Sequence, residues 1–409
     1  MNGLSARLQP LFEQTRTVCF GRFLMRIPAS ANVIYGPAEV DTPIEFFGGQ
    51  ANRLGVRVAA RLAQVEQERK YMQDGDLTRL PLFGKVIDGA VMGQKIVYGS
   101  KDQVGYTMHS FVPVGADLFV QHLDTVLPGE ERIATFNRVA SALRPRSEAD
   151  IPGEPGSCIE GGFVPIEQKY ERVTVGVRFK EFSDVHLSVE VHKNGDRLPQ
   201  NADLDSLRSQ ARTQAASNGL GSVFSGIKVL RRQARQVDGL QGFEIVTKNP
   251  AYNDDMENHE LRYLSAGAVS DALHPRLDVR LDTGLKNNRR ARAQPSLSDE
   301  ETMALWDTLL DTIRLRHASD ASVAPAPATV PLGSLTRTGA LCPWTGWWQC
   351  TGSNDIEGAR RRVFTVGETM PAVILLGEPG LWEKFKGERP RHQMSTVWEL
   401  VAYSDQEGS

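Results

Sequence analysis

The feature of this sequence that most constrains its fold is an internal repeat within residues 15–316. The best match aligns IATFNRVASALR, residues 133–144, with MALWDTLLDTIR, residues 303–314, without a gap. In both segments the apolar residues recur at the spacing of one stripe of an amphipathic helix. The aligned pairs are Ile133 with Met303, Phe136 with Trp306, Val139 with Leu309, Leu143 with Ile313 and Arg144 with Arg314. We therefore expect the same helix near the end of two similar units.

Two shorter matches locate earlier elements of the repeat. CFGRF, which begins at Cys19, resembles CIEGGF, which begins at Cys158, after one inserted residue. Further on, Asp88-Gly89 in VIDGAVMGQKIV falls on Asp238-Gly239 in QVDGLQGFEIV. An Asp-Gly pair between alternating apolar residues is typical of a β-hairpin. Each copy is therefore expected to carry a hairpin at the equivalent place.

The remaining periodicity predicts strands and helices in the same order in each copy. TVCFGRFLMRIP, residues 17–28, alternates as one half-buried strand that ends at Pro28, with Arg22 and Arg26 on its solvent side. Further helices are predicted from Val56 and from Asp203, and strands over residues 173–179, 187–191 and 277–281. Pro128 and the run that begins at Ser298 are candidate helix starts.

These elements predict an α+β fold with two similar domains, each an antiparallel sheet with helices packed on one face. The first domain is expected at residues 15–147 and the second at residues 156–316. RPRSEADIPGEPGS, residues 144–157, is interpreted as the hinge between them. Two similar domains joined by a short hinge predict a two-jawed clamp with a cleft for a partner.

A third part of the chain follows a change in composition. Residues 317–339 are rich in Pro, Ala, Ser and Thr and predict a linker. Residues 340–405 are expected to form a small β-rich domain, either a barrel or a curled sheet. It holds five of the six tryptophans: Trp344, Trp347, Trp348, Trp382 and Trp398. They are interpreted as core, and an aromatic surface that binds peptide or sugar is the alternative.

The four cysteines, Cys19, Cys158, Cys342 and Cys350, include no C-x-x-C pair and are interpreted as structural. Cys342 and Cys350 have a spacing that suits a small disulfide loop. If oxidised, they would place the protein outside the cytosol. Cys19 could serve as a thiol nucleophile beside His109 or His122, but its place on the apolar side of a strand favours a packed or bridged residue.

Composition and motifs exclude several function classes. The formal net charge of -3 gives no basic footprint for nucleic acid. No apolar run approaches the roughly 20 residues that cross a bilayer. The first 25 residues show no secretory signal, so the chain as written is expected in the cytoplasm unless a leader precedes it. H-E-x-x-H, G-x-S-x-G and phosphate-loop motifs do not occur, so no catalytic, metal or cofactor site is predicted.

The scattered histidines point to no metal site either. His186 and His192 share one face of a predicted strand, but about 20 Å separates them at roughly 3.3 Å per residue. One ion cannot be bound by both. His122 and Asp124 also share a strand face, without a nucleophile at a recognisable spacing.

Two loops of opposite charge are expected to face a protein partner. The acidic loop, residues 249–260, and the basic loop, residues 282–296, lie in the second copy. Such charge complementarity steers association with a charged surface. The candidate contact residues are Asn253, Asp254, Asp255 and Glu257 in the first loop, and Lys286, Asn287, Arg289 and Arg290 in the second.

The Cys-Phe-Gly-Arg-Phe segment that leads to a proline, followed by the second Cys-Ile-x-Gly-Gly-Phe segment, resembles the Tli immunity proteins, which neutralise phospholipase effectors of type VI secretion. The resemblance covers residues 15–316 and implies N-terminal and C-terminal Tli domains that grip the lipase like a clip and keep its lid from opening. It implies an inhibitor without enzymatic activity or cofactor, in the periplasm, as a monomer in a 1:1 complex with its effector.

Two alternatives stay open from the sequence. One is an envelope adaptor that binds peptide or glycan through the Trp-rich domain. The other is an unrecognised hydrolase, which predicts a concave pocket with a carboxylate or histidine of strongly shifted pKa.

Overall fold

The two copies of the repeat fold into the same succession of elements. The computed structural model describes residues 4–129, 132–198, 203–321, 332–351, 356–376, 391–394 and 396–403. The first copy consists of β1 (Thr15–Phe20), β2 (Phe23–Pro28), β3 (Asn32–Val40), β4 (Thr42–Phe47), α1 (Leu54–Arg69), α2 (Asp74–Arg79), β5 (Val86–Asp88), β6 (Lys95–Gly99), β7 (Tyr106–Val114), β8 (Asp117–Val126), α3 (Ile133–Ala142) and β9 (Arg144–Pro145). The second consists of β10 (Ser157–Ile159), β11 (Gly162–Val164), β12 (Glu171–Arg178), β13 (His186–His192), α4 (Leu204–Ser217), α5 (Gly221–Ser225), β14 (Lys228–Val237), β15 (Leu240–Asn249), β16 (Asn258–Ser265), β17 (Arg276–Asp282), α6 (Asp299–Leu310) and β18 (Arg314–Leu315).

One antiparallel sheet of twelve strands runs through both copies. Its order is β5-β6-β7-β8-β4-β3 in the first copy, continued by β12-β13-β17-β16-β15-β14 in the second. β3 pairs with β12 at the middle of the sheet. Because equivalent strands lie at equal distances from this middle pair, the sheet has the order expected of a two-fold pseudo-symmetry.

Two small sheets connect the copies a second time. The hairpin β1-β2 is completed by β18, the last strand of the second copy, and the hairpin β10-β11 is completed by β9, the last strand of the first. Each copy therefore exchanges its last strand with the other. The described residues up to 321 accordingly form one compact unit. A division into domains at 15–147 and 156–316 stays a prediction.

The segment predicted as a hinge is anchored to both copies. The Arg146 guanidinium, which is buried, donates to the carbonyl oxygens of Ser147 at 2.9 Å and Ile159 at 3.2 Å. It also donates to the Tyr35 hydroxyl at 3.2 Å. Residues 144–157 are thus held by defined contacts on both sides of the connection.

The main core lies between the twelve-stranded sheet and the helices α3 and α6. Trp306 and Leu309 of α6 are fully buried there against strand residues such as Val175 and Val246. On the opposite face, Leu204 of α4 packs on Ile245. The predicted α+β class is confirmed. Helices cover both faces of the sheet, whereas one covered face was predicted. β15 accordingly buries successive residues, Ile245 and Val246, on opposite sides.

The helix ends and turns follow local sequence signals. Ser298 accepts a hydrogen bond from the backbone N–H of Glu301, whose side chain accepts one from the backbone N–H of Ser298, so α6 begins with a capping box. The Asp203 side chain caps α4 by accepting a hydrogen bond from Ser206 N–H, without the second bond of a capping box. Asp238 and Gly239 have φ of 45° and 83° and form the tight β14-β15 turn. α3 begins at Ile133, five residues after Pro128.

The prediction of one strand over residues 17–28 is wrong. Gly21 has φ of +51°, and the chain turns back there, so that β1 and β2 form a hairpin. Alternation continued across this two-residue turn, so periodicity alone did not show it. Arg22, predicted on the solvent side, is buried and forms a bidentate ion pair with Glu171 at 2.7 and 2.8 Å.

The third part of the chain is a small β-rich unit. Its strands are β19 (Leu335–Arg337), β20 (Gly346–Cys350), β21 (Arg361–Phe364), β22 (Val373–Leu376), β23 (Arg391–Met394) and β24 (Val397–Tyr403). They form a sheet of order β19-β24-β20-β21 and the pair β22-β23. β19 lies within the predicted linker. Trp348 and Trp398 are fully buried, whereas Trp344 and Trp347 are partly exposed. Trp382 lies outside the described residues.

Cys342 and Cys350 do not form the loop disulfide that their spacing allows. Both thiols are free and buried. Cys342 Sγ donates to the Trp344 carbonyl oxygen at 3.1 Å, and Cys350 Sγ lies 3.0 Å from Thr396 Oγ1. These polar contacts occupy both sulfur atoms within the core of the unit.

Candidate functional site

The acidic loop joins β15 to β16 and presents its predicted residues at the surface. The backbones of Tyr252 and Asp255 exchange two hydrogen bonds, of 3.0 and 2.9 Å, around Asn253 and Asp254. Asn253 has φ of 50°, a left-handed conformation that Asn tolerates. The resulting tight turn exposes Asn253 and Asp254 at its tip.

The basic loop follows β17 and ends in a similar turn. Lys286 and Arg289 exchange two backbone hydrogen bonds of 3.0 Å around Asn287 and Asn288. Both asparagines have positive φ, of 52° and 60°, as the two central residues of a type I′ turn require. This turn holds Lys286 and Arg289 at the surface.

The two loops lie side by side. Met256 N–H donates to the Ala291 carbonyl oxygen at 2.9 Å, and Arg292 lies 3.3 Å from the Asp255 carboxylate. Glu257 pairs with Lys248 at 3.3 Å. The structure thus brings the predicted acidic and basic residues together in one surface region.

Only part of this charge is neutralised inside the molecule. Arg290 turns back to Asp282 at 3.1 Å and to Glu260 at 3.5 Å. Asp254, Lys286 and Arg289, in contrast, have no ion-pair partner among the residues that the structure describes. These three exposed charges are free to meet complementary charges on another molecule.

A groove adjoins the two loops. It encloses about 580 Å³ between the helices α4 and α5 and the strands β15 and β16. Apolar side chains such as Leu207, Leu220 and Phe224 line it, and Tyr252 and Arg290 border the end at the loops. An apolar groove closed by charged loops has the composition of a protein-binding surface, with an apolar centre and a polar rim.

Burial shifts the pKa of one carboxylate beneath the basic loop. Desolvation raises the pKa of Asp282 to about 6, and Arg290 opposes the shift. Glu260 and His186 stand opposite Asp282 on the two neighbouring strands. Sequence reasoning placed Asp282 at the start of the basic loop but did not identify it, because strand register brings its neighbours from distant segments.

The histidines considered from the sequence form no metal cluster. His109 and His122 are cross-strand neighbours whose rings stack at 6.0 Å between centroids. Burial, assisted by Arg61 and His122, lowers the pKa of His109 to about 4. Within the described part of the chain, no group of three or more His, Cys, Asp or Glu residues could hold a metal ion.

Cys19 is joined to Cys158 by a disulfide. The backbones beside it also pair, because Gly21 N–H donates to the Cys158 carbonyl oxygen at 2.8 Å and Cys158 N–H donates to that of Gly21 at 2.7 Å. The sulfur of Cys19 is therefore not available as a nucleophile in this state. Among the described helices, none is long and apolar enough to cross a membrane.

Comparison with a protein-family model gives a match over the second copy. Residues 150–318 match the family described as Tle cognate immunity protein 4 C-terminal domain. The resemblance to Tli immunity proteins is therefore confirmed for the segment that carries both charged loops. No curated protein matches the chain.

Solved structures match both copies together. The immunity protein TplEi of the type VI secretion system from Pseudomonas aeruginosa, in complex with "L" peptide, is 23% identical, with a TM-score of 0.55 over 74% of this chain and 98% of that one. Its apo structure gives 22% identity and a TM-score of 0.56, over 75% and 99% of the chains. A chain of the Tle4–Tli4 complex gives 22% identity and a TM-score of 0.56, over 74% and 97%. These similarities establish a shared fold.

Proposed function

We propose that this chain is an immunity protein, which binds a cognate type VI secretion lipase effector and inhibits it by clamping it and blocking its active site or lid. The observation that carries the proposal is the fold shared with nearly the whole matched chain of the Tle4–Tli4 complex. The family match to Tle cognate immunity protein 4 supports it independently.

The charged loops and the groove beside them are the proposed contact surface. Asp254, Lys286 and Arg289 are exposed and lack internal partners among the described residues, and the groove supplies apolar area next to them. Exposed charges at the rim of an interface chiefly steer association, whereas the buried apolar centre supplies affinity. We expect the complete interface to exceed about 1,000 Å².

Inhibition in this proposal is steric and requires no catalysis by the chain. The disulfide between Cys19 and Cys158 supports an oxidising compartment, and we propose the periplasm. Two of the described tryptophans, Trp348 and Trp398, fill the core of the Trp-rich unit, which counts against an adaptor acting through this unit.

The test is binding and protection with a candidate cognate lipase, which is to be sought among the genes that neighbour the one for this chain. Purified wild-type chain is expected to form a stable complex with that lipase and to suppress its hydrolysis of phospholipid vesicles. The double variant Lys286→Glu/Arg289→Glu is expected to lower the association rate at least about tenfold, because it reverses the exposed charge. Lys70→Glu, an exposed change at the end of α1, is the matched control.

Wild-type chain that neither binds the lipase nor protects cells that express it would refute the proposal. Equal association rates for the loop variant and its control would leave inhibition standing but remove these loops from the interface.

A further inference from the structure

The twelve-stranded sheet is split beside its middle. β3 and β4 pair only where Ala38–Val40 meets Thr42–Ile44. Beyond that point β3 continues along β12 to Asn32, and β4 continues along β8 to Phe47. Residues 32–37 and 45–47 therefore have a strand on one side only. We call the opening between these two segments the seam.

The second copy shows that the seam is not required by the fold. β12 and β13 are the equivalents of β3 and β4, and they pair without interruption from Arg172–His192 to Arg178–His186. The same two strands are therefore closed in one copy and open in the other. The register of β3 on β12 also shifts in this region, between Tyr35 and Ala38.

The seam is a cavity with strand edges for walls. It encloses about 530 Å³, with Tyr35 and Pro37 on one side and Phe46 and Phe47 on the other. Along an antiparallel strand, alternate residues direct their N–H and C=O groups to opposite sides. The inner edges of β3 and β4 therefore offer backbone donors and acceptors to an additional strand.

The far end of the seam is formed by the other copy. Ile159 and Glu160, at the β10-β11 turn, line the cavity together with Phe119. Gly161 allows this close approach, because a Cβ there would lie 2.1 Å from Phe46 Cε2. Gly161 also has φ of +62°, so the turn requires glycine both for its conformation and for space.

The charged side chains that line the seam indicate which kind of segment it can bind. Glu45 and Glu160 are exposed at the seam and line it, and neither has an ion-pair partner among the described residues. None of the lysines and arginines that the structure describes lines the cavity. Partial burial raises the pKa of Glu160, which indicates a carboxylate that lacks compensation.

We propose that the seam binds one extended segment of the partner lipase as an added β-strand, with apolar side chains against Phe46 and Phe47 and with lysine or arginine side chains toward Glu45 or Glu160. This proposal rests on the proposed function for the identity of the partner. The mode of recognition is strand addition, in which backbone hydrogen bonds supply affinity and alternate side chains supply specificity.

The first experiment uses the full chain and the lipase. On complex formation, hydrogen exchange is expected to slow at least about tenfold at those amides of residues 33–36 and 45–47 that face the seam, because added-strand hydrogen bonds protect them. Glu45→Lys/Glu160→Lys is expected to weaken lipase binding by about tenfold or more. Glu181→Lys, an exposed change outside the seam, is the control, and thermal unfolding of each variant checks its fold.

The second experiment does not need the lipase. A fluorescein-labelled peptide, Thr-Val-Lys-Val-Thr-Val, is titrated with the full chain and followed by anisotropy. Binding is expected for this probe and at least about tenfold weaker binding for two others, one with glutamate in place of lysine and one with proline in place of the second valine. Glu45→Lys/Glu160→Lys is expected to reverse the preference between lysine and glutamate.

The outcomes separate the two proposals. A lipase that binds wild type and the seam variant equally, with unchanged exchange at both segments, overturns the seam and leaves the immunity function standing. A lipase that does not bind wild type overturns the immunity function, and the peptide titration then decides the seam. The seam proposal is overturned if the lysine peptide does not bind, or if it binds wild type and the Glu45→Lys/Glu160→Lys variant equally.

Discussion

The buried ion pair between Arg22 and Glu171 is a feature that the sequence did not reveal. Arg22 and Glu171 come from different copies and form a buried bidentate pair. Glu171 also accepts a hydrogen bond from the backbone N–H of Gln168 at 3.0 Å. A buried charge that loses its partner is costly, because neither water nor another ion replaces it. This pair therefore fixes how the first hairpin sits against the start of β12.

The substitution Glu171→Gln should destabilise the protein by about 3–5 kcal/mol, since it leaves the Arg22 charge buried without compensation. The free energy of unfolding from urea titration measures the effect. The matched control is Glu148→Gln, which removes the exposed partner of Arg16 and should cost under about 1 kcal/mol. Equal losses in the two variants would contradict this account.

His109 gives the stability a defined pH dependence. Its pKa falls to about 4 in the folded protein, chiefly because it is buried, against about 6.5 when unfolded. The unfolded chain therefore binds a proton in this window that the folded one does not, and stability is lost as pH falls from about 6.5 to about 4.

His109→Gln should remove this dependence. The variant is compared with wild type by urea unfolding between pH 4.5 and 7.5. Relative to the variant, wild type should lose on the order of 2 kcal/mol toward the acidic end. Asp282 acts in the opposite direction, since its raised pKa favours the folded state below about 6, but its contribution is common to both proteins. Parallel pH curves would show that His109 does not titrate as described.

At the scale of elements, equivalent helices begin differently in the two copies. α6 begins with the Ser298–Glu301 capping box, whereas α3 begins after Arg132, which makes no side-chain cap bond. The capping box was predictable, because Ser followed three residues later by Glu is a local signal. The side-chain oxygen of Ser298 satisfies a backbone N–H that would otherwise lack a partner at the helix end.

Ser298→Ala is expected to cost about 1 kcal/mol. Arg132→Ala, at the N-cap of α3, should change stability by no more than about 0.5 kcal/mol. Both values come from urea unfolding monitored by circular dichroism. If the two variants lose the same stability, the side-chain cap is not what stabilises the start of α6.

The sequence predicted the elements that depend on local interactions, but not the pairing of strands that are distant in the chain. Helices α4 and α6, the Asp238-Gly239 turn and the charged loops follow from residues close together in the chain. The exchange of β9 and β18 and the pairing of β3 with β12 depend on contacts between distant segments. Residues 17–28 are an intermediate case, because polar and apolar residues alternate in the same way along a hairpin with a two-residue turn and along one continuous strand.

At the scale of the whole molecule, the disulfide closes a long loop. Cys19 and Cys158 are 139 residues apart. In the chain-entropy view, a cross-link over such a separation restricts the unfolded chain strongly. The link stabilises the joint between the two copies, where both cysteines are buried in a small apolar cluster with Leu24 and Phe163.

The double variant Cys19→Ser/Cys158→Ser should therefore lose about 2–5 kcal/mol of stability. Urea unfolding without reductant measures the loss. Wild type treated with reductant is the control and should approach the double variant, whereas the double variant should not respond to reductant. A wild-type protein indifferent to reductant would contradict the prediction.

The contact between Cys19 and Cys158 joins equivalent positions of the two copies, and Gly21 and Cys158 bond reciprocally beside it. In a homodimer, a residue that touches its own counterpart lies on the two-fold axis. The exchanged strands have the same symmetry, as in a domain-swapped pair. The chain thus has the arrangement of a domain-swapped homodimer within a single polypeptide. Because both copies belong to one chain, they need not be identical, and one copy has a closed sheet at the position where the other is open.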